Sequence, residues 1–289
     1  MITKYAPSLI LLASLINGPC FAIDRAIALT IDDLPFVGKD SNDSSHLQRS
    51  HDRFTNLMQS LIDHHVPATG FIIAGAIGKG QWKLLEEFRK EGFELGNHTY
   101  THANLNRISS KQYMDEITRA DEKLAPVMTQ PKYFRYPYLA EGRGSAKQDV
   151  QDFLTENQYT IAPVTIDSKD YLFNERLLHI SWRNRPQHLD KMKREYLDYI
   201  WKQTLLAEKR AGNGSTKQIL LIHANLLNSH FLGDVIQMYK DNGYRFVSLG
   251  EALPSANQPL QAAQSSSKVL LSSIDNMDMN DETDMDKVW

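Results

Sequence analysis

One cysteine, Cys20, is the whole thiol complement of this 289-residue chain. A fold stapled by disulfides and a metal centre built on thiolates are both excluded, so any metal site has to be made of histidine and carboxylate. An apolar run of bilayer length is also missing. The run Ala6–Ile16 is too short to span a membrane, and with Lys4 before it and Phe21-Ala22 after it, it reads as a secretory signal peptide over residues 1–22. Cleavage there removes Cys20 too; lipid attachment at Cys20 fits poorly with Asn17-Gly18-Pro19 ahead of it. The expected location is exported, periplasmic or secreted, with no membrane span after signal removal. A strong charge excess is the third absence. The net charge is −3, and the imbalance sits in the tail from Ser255, which holds six acidic residues and two lysines. The body is balanced, which argues against nucleic acid as a partner and suits a neutral sugar.

What is present is a long alternation of strand and helix patterns. Arg25–Ile31 is a short apolar run ending in Asp32-Asp33, two carboxylates that cannot both be core, followed by a loop from Leu34 to Ser45. Apolar residues at Phe54, Leu57, Met58, Leu61 and Ile62 have helical spacing. Further strands are expected at 68–73, 94–97, 133–135, 159–166, 218–222 and 245–247, with helices at 82–90, 110–124, 146–156, within 186–206 and at 231–239. Seven strands alternating with helices suggest one parallel barrel-like or open α/β domain over residues 23–254. From Ser255 to Trp289, Gln, Ser, Asn, Asp and Met dominate, and disorder is expected. At 42% hydrophobic, a chain of this length can bury a large core without staples.

The chemistry gathers at strand ends: Asp32-Asp33, His98 with His102, Arg135 with Tyr138, Asp167 with Asp170, and His223. Parallel α/β folds place their sites there. Two histidines four apart lie on one side of a helical turn, so both imidazoles can reach one small ion. Other histidines find no partner of matching spacing. His64-His65 read as a helix end, where a cation favours the dipole. The run Trp182-Arg183-Asn184-Arg185 reads as an exposed loop, with a sugar-groove wall as the alternative.

Thr30-Ile31-Asp32-Asp33, His98-Thr99-Tyr100-Thr101-His102, Arg135-Tyr136-Pro137-Tyr138, Asp167-Ser168-Lys169-Asp170-Tyr171 and Leu221-Ile222-His223 resemble, in order and spacing, the five motifs of the polysaccharide deacetylase family, carbohydrate esterase family 4. The likeness spans roughly Arg25 to Leu253. It implies a distorted (β/α)7 barrel and a divalent metal ion, zinc before others, held by Asp33, His98 and His102. It further implies Asp32 as general base, Arg135 as the partner that keeps Asp32 placed, His223 as general acid and Asp170 as its orienting carboxylate. Leu221 would line the acetyl pocket, the Tyr138 backbone amide would meet the oxyanion, and Tyr171 would wall the sugar site. A two-histidine, one-carboxylate set with open positions is also what hydrolytic zinc chemistry favours.

Three departures concern the groove rather than the reaction: Leu34-Pro35 after Asp33, Ala224-Asn225 after His223, and Tyr171 where the family carries tryptophan. They imply a divergent branch with an unusual acceptor. The expected activity is removal of acetyl groups from N-acetylated amino sugars of a glycan, peptidoglycan being the nearest for an exported protein. O-deacetylation of a polysaccharide and noncatalytic glycan binding remain as alternatives, and oligomeric state is not legible.

Overall fold

The computed structural model describes residues 24–36, 44–78, 80–212 and 217–253. The expected signal peptide with Cys20, residues 37–43 of the expected loop, and the acidic tail from Ser255 lie outside the described residues. Among the described residues there are eight strands: β1 (Arg25–Leu34), β2 (Ala68–Ile72), β3 (Glu94–Asn97), β4 (Lys132–Phe134), β5 (Tyr159–Ile161), β6 (Ile166–Asp167), β7 (Lys217–His223) and β8 (Tyr244–Val247). The helices are α1 (Ser44–Asp63), α2 (Trp82–Lys90), α3 (Ser110–Leu124), α4 (Gly144–Glu156), α5 (Asp170–His179), α6 (Pro186–Ala211), α7 (Leu226–Asp241) and the short α8 (Leu249–Ala252).

Every ladder is parallel, in the order β5-β4-β3-β2-β1-β7-β6. β7 runs along one edge of β1, whereas β8 takes Arg25–Ala28 and β2 takes Leu29–Leu34 on the other. The sheet curls into an open form of the expected (β/α)7 barrel, with helices outside. One expected strand is corrected. The run 159–166 breaks into β5 and β6, which form the two opposite edges of the row. Pro163 cannot donate to a ladder. The Ala162 amide still donates to Phe134 (2.8 Å), but the Thr165 amide donates to Ile219 (3.0 Å), so the chain leaves one edge and joins the other within three residues.

Alternation along β1 sorts its side chains into two cores. Ile27, Leu29 and Ile31 join the large cluster under the helices, while Ala26 and Ala28 join a small one with Phe71, Tyr133, Ile219 and Val247 inside the curl. Small residues at 26 and 28 leave room in the concave side, and the same parity continues through Thr30 to Asp32. Among the described residues no helix is long and apolar enough to cross a membrane.

Candidate metal centre and active site

Regular alternation would send Asp32 and Asp33 to opposite faces. The β1–β2 register slips between Ile31 and Leu34, and Asp33 takes a left-handed backbone (φ 62°). A bulge of this kind re-aims a side chain, and here it brings both carboxylates to one place. The expectation that both could not be buried is therefore corrected: Asp32 is 3% and Asp33 8% exposed.

The two histidines also reach the site differently from the expectation. They do not lie on a helical turn. They bracket an irregular loop leaving β3, with Thr99 (φ 64°) and His102 (φ 61°) both left-handed. The loop is tied down at several points. The amide of His98 donates to Ile72 (3.0 Å), that of Gly75 to Tyr100 (2.7 Å), and that of Thr99 to the Asn97 side chain (2.8 Å). Gly96 lets β3 approach: a Cβ there would lie 2.7 Å from the Phe71 ring and 2.9 Å from the Tyr133 carbonyl. Among the described residues, six of the eight positive-φ residues other than glycine, namely Asp33, Thr99, His102, Tyr138, Leu139 and Lys169, fall within or next to the motifs. Strain held in place by surrounding structure is a mark of functional loops.

The resulting cluster is compact. Asp33 Oδ1 lies 3.5 Å from His98 Nε2 and 3.3 Å from His102 Nε2, and one ligand atom from each residue falls within 4.8 Å of the others. His98 Nδ1 sits 2.8 Å from the Arg135 carbonyl, so the ring donates there and turns the Nε2 lone pair to the cluster. Burial pushes His98 down to about 3 and His102 to about 4, in the second case against the pull of Asp33. Both rings are neutral at pH 7 and available as ligands. Asp33 Oδ1 is buried without a hydrogen-bond donor, and burial pushes its carboxyl upward despite His223 and His102. A buried carboxylate oxygen with no donor, set between two neutral imidazoles, is costly unless a cation joins them. These three residues fit a divalent metal ion.

Asp32 flanks the cluster, 3.8 Å from His98 Nε2. Arg135, 1% exposed, holds it from inside the barrel with Nη1 3.4 Å from Oδ1. The same guanidinium donates through Nε to the Ala162 carbonyl (2.7 Å) and through Nη2 to Thr30 Oγ1 (3.2 Å). Burial raises the Asp32 carboxyl more than Arg135 lowers it. On the next strand, His223 Nδ1 meets Asp170 Oδ1 at 2.7 Å, and its amide donates to Asp170 Oδ2, also at 2.7 Å. Burial depresses His223, but the charge and hydrogen bond of Asp170, helped by Asp33 and Asp32, outweigh this and raise it to about 10. Asp170 is itself held below its usual value, because His223 and Asn225 overcome the cost of burial.

Residues 22–161 match the family described as polysaccharide deacetylase. Over that stretch, 140 of its 289 residues, the chain resembles that family. A peptidoglycan-N-acetylglucosamine deacetylase of Bacillus cereus is 27% identical over 147 residues, covering 50% of this chain and 46% of that protein. A chitin deacetylase of Colletotrichum lindemuthianum is 27% identical over 249 residues, covering 80% of each. Its solved structure superposes with a TM-score of 0.52 at 24% identity, over 80% of this chain and 88% of that one. A family pseudoenzyme from Bacillus anthracis superposes with a TM-score of 0.56 at 19% identity, over 80% and 66%. These superpositions speak for the fold. The chain spans less than half of the Bacillus cereus relative.

Two of the remaining expected residues stand beside these groups. Tyr138 (φ 56°) lies in the turn Pro137–Leu139, and its exposed ring packs 4.4 Å from His102. Tyr171, 46% exposed, stands edge-on to His223 at 6.3 Å. Leu221 is buried, in register with Thr30. Sequence reading took Asn225 only as a departure in the groove and missed Asn228; the structure puts both on Asp170. Asn225 caps α7 by accepting from the Asn228 amide (3.0 Å) and donates to Asp170 Oδ2 (2.8 Å), and the Asn228 side chain donates to the same oxygen. Asparagine just before a helix is a capping signal, and it could have pointed to this position.

Proposed function

We propose that this chain is an exported, metal-dependent deacetylase that removes acetyl groups from N-acetylated amino sugars of a glycan of the peptidoglycan or chitin type. The observation that carries the reading is the unsatisfied buried Asp33 oxygen between His98 and His102, flanked by Asp32 on β1 with its partner Arg135 and by His223 on β7 with its partner Asp170. Asp33, His98 and His102 would hold the cation, zinc suiting the donor set best. When bound, it supplies Lewis acidity toward the acetyl carbonyl and acidifies the attacking water.

The chain's own residues do the rest. Asp32, fixed by Arg135, accepts the proton of the attacking water as the new carbon–oxygen bond forms. The Tyr138 backbone amide donates to the developing oxyanion. His223, protonated because of Asp170, gives its Nε2 proton to the nitrogen as the carbon–nitrogen bond breaks, releasing acetate and a free amine. Leu221 lines the space for the acetyl methyl, while Tyr138 and Tyr171 face the sugar from opposite sides.

Acetate release from N-acetylglucosamine oligomers, measured beside release from acetylxylan, tests this. The reading expects amide substrates to be turned over. Release from acetylxylan alone would make the protein an O-deacetylase, and glycan binding without release from either would leave a binding module.

A further inference from the structure

Overall charge balance hides a local concentration at the far end of α5. The helix starts at Asp170 beside His223, and each of its ends carries an exposed aromatic ring with a cation on its face. Lys169 Nζ lies 5.4 Å from the Tyr171 ring centre, and Arg183 Cζ lies 4.9 Å from that of Trp182, which is 68% exposed. Ten helical residues extend about 15 Å, so the two rings lie toward opposite ends of α5. A cavity of about 410 Å³ opens between the last turns of α5 and the first turns of α6. Arg176, His179, His188 and Lys191 line it, with Glu195 as its one carboxylate. Glu195 is shared by Arg176 (2.6 Å) and Lys191 (3.8 Å), so the fixed cations outnumber it even before Arg183 is counted.

An acetylated amino sugar carries no charge for such a lining to recognise. A carboxylate on a neighbouring sugar does, and guanidinium groups match its geometry. Exposed aromatic faces such as Tyr171 and Trp182 suit the apolar faces of pyranose rings, which an ordinary solvated loop would not need. We propose that the exposed face of α5 and the α5–α6 cavity form a distal glycan subsite that selects strands bearing carboxylate substituents. This rests on the reading of the protein as a glycan deacetylase and names the class of glycan.

The test uses the full, metal-loaded chain and three probes: peptidoglycan strands freed of stem peptides so that their lactyl carboxylates are ionised, the same strands with those groups methylamidated, and chitohexaose. The wild type should show a KM about tenfold lower for the carboxylate strands than for the amidated ones, with the gap narrowing as salt is raised. The variant Arg176→Gln/Arg183→Gln/Lys191→Gln should lose the gap with kcat unchanged and with chitohexaose kinetics unchanged, which also shows that it is folded. Trp182→Ala should raise KM about fivefold for both forms of the strand alike; an unchanged KM overturns the stacking half of the proposal. Equal KM values for the two strand forms in the wild type, or a gap retained in the triple variant, overturn the charge-selection half. Should no probe be deacetylated while the carboxylate strands still bind more tightly, and only in the wild type, the subsite stands and the catalytic reading falls. Turnover of chitohexaose without any gap has the reverse meaning.

Discussion

Asp32 and His223 are register partners in the β1–β7 ladder, their Cα atoms facing each other across adjacent parallel strands. The amide of Ala224 donates to the Asp32 carbonyl at 3.2 Å and locks that register. Neighbouring strands lie about 4.8 Å apart, so the proposed proton acceptor and proton donor are spaced by backbone hydrogen bonds rather than by flexible side chains. Arg135 sets the charge on one side and Asp170 on the other.

Replacing the acceptor separates catalysis from metal binding. Asp32→Asn keeps the shape of the side chain and leaves Asp33, His98 and His102 in place. Acetate release should fall by a factor of about 10² to 10⁴, the range for loss of a general base, while metal content measured by atomic emission is unchanged. Normal turnover by this variant would remove Asp32 from that role.

The Asp170–His223 pair predicts a pH dependence of stability. The folded-state value of His223, about 10, lies above its ordinary 6.5. A raised histidine binds its proton more tightly in the folded state. Its contribution is therefore present in full below pH 6.5 and is lost as pH rises through about 10. Melting temperatures of wild type and His223→Gln from pH 6 to 10.5 should converge toward the alkaline end; parallel curves would contradict the pairing. In kinetics, the same proton gives an alkaline fall in kcat/KM at or below about pH 10, because a cation beside Asp33 offsets the pull of the carboxylates.

Removing Arg135 should cost more than a surface ion pair would. Arg135→Met leaves Asp32 buried without its partner and strips donors from the Ala162 carbonyl and Thr30. A broken buried pair costs about 3–5 kcal/mol, read by denaturant unfolding of the variant. A loss below about 1 kcal/mol, typical of exposed pairs, would show that the guanidinium is not structurally required.

Gly96→Ala tests the close approach that sets the histidine loop. The added methyl meets the Phe71 ring and the Tyr133 carbonyl inside normal contact distance. Overpacking of this kind costs about 1–3 kcal/mol, and displacement of His98 should weaken metal binding along with it. Unchanged stability and metal affinity would mean that β3 can move without disturbing the site.

The fold was legible because long parallel strands such as 25–31 and 218–222 are near-continuous apolar runs, and helices such as 110–124 keep their period over several turns. The split of 159–166 was not, since a proline inside a strand-like run does not say which neighbours the two halves will find. The site residues were visible only as ordered motifs. Spacing alone suggested a helical turn for His98 and His102, whereas the loop is shaped by left-handed residues and by hydrogen bonds from distant segments. The burial of both Asp32 and Asp33 depends likewise on a bulge and on Arg135, a residue 103 positions beyond Asp32. The local concentration of cations around α5 and α6 vanished in a balanced net charge.

The most direct test measures metal content and acetate release from an N-acetylglucosamine oligomer on the same preparations of wild type and His98→Ala, before and after chelation and with zinc restored. The account predicts about one metal ion per chain and acetate release in the wild type, loss of both on chelation, recovery of both with zinc, and neither in His98→Ala. Undiminished acetate release from metal-free protein, or a full complement of metal in His98→Ala, would contradict it.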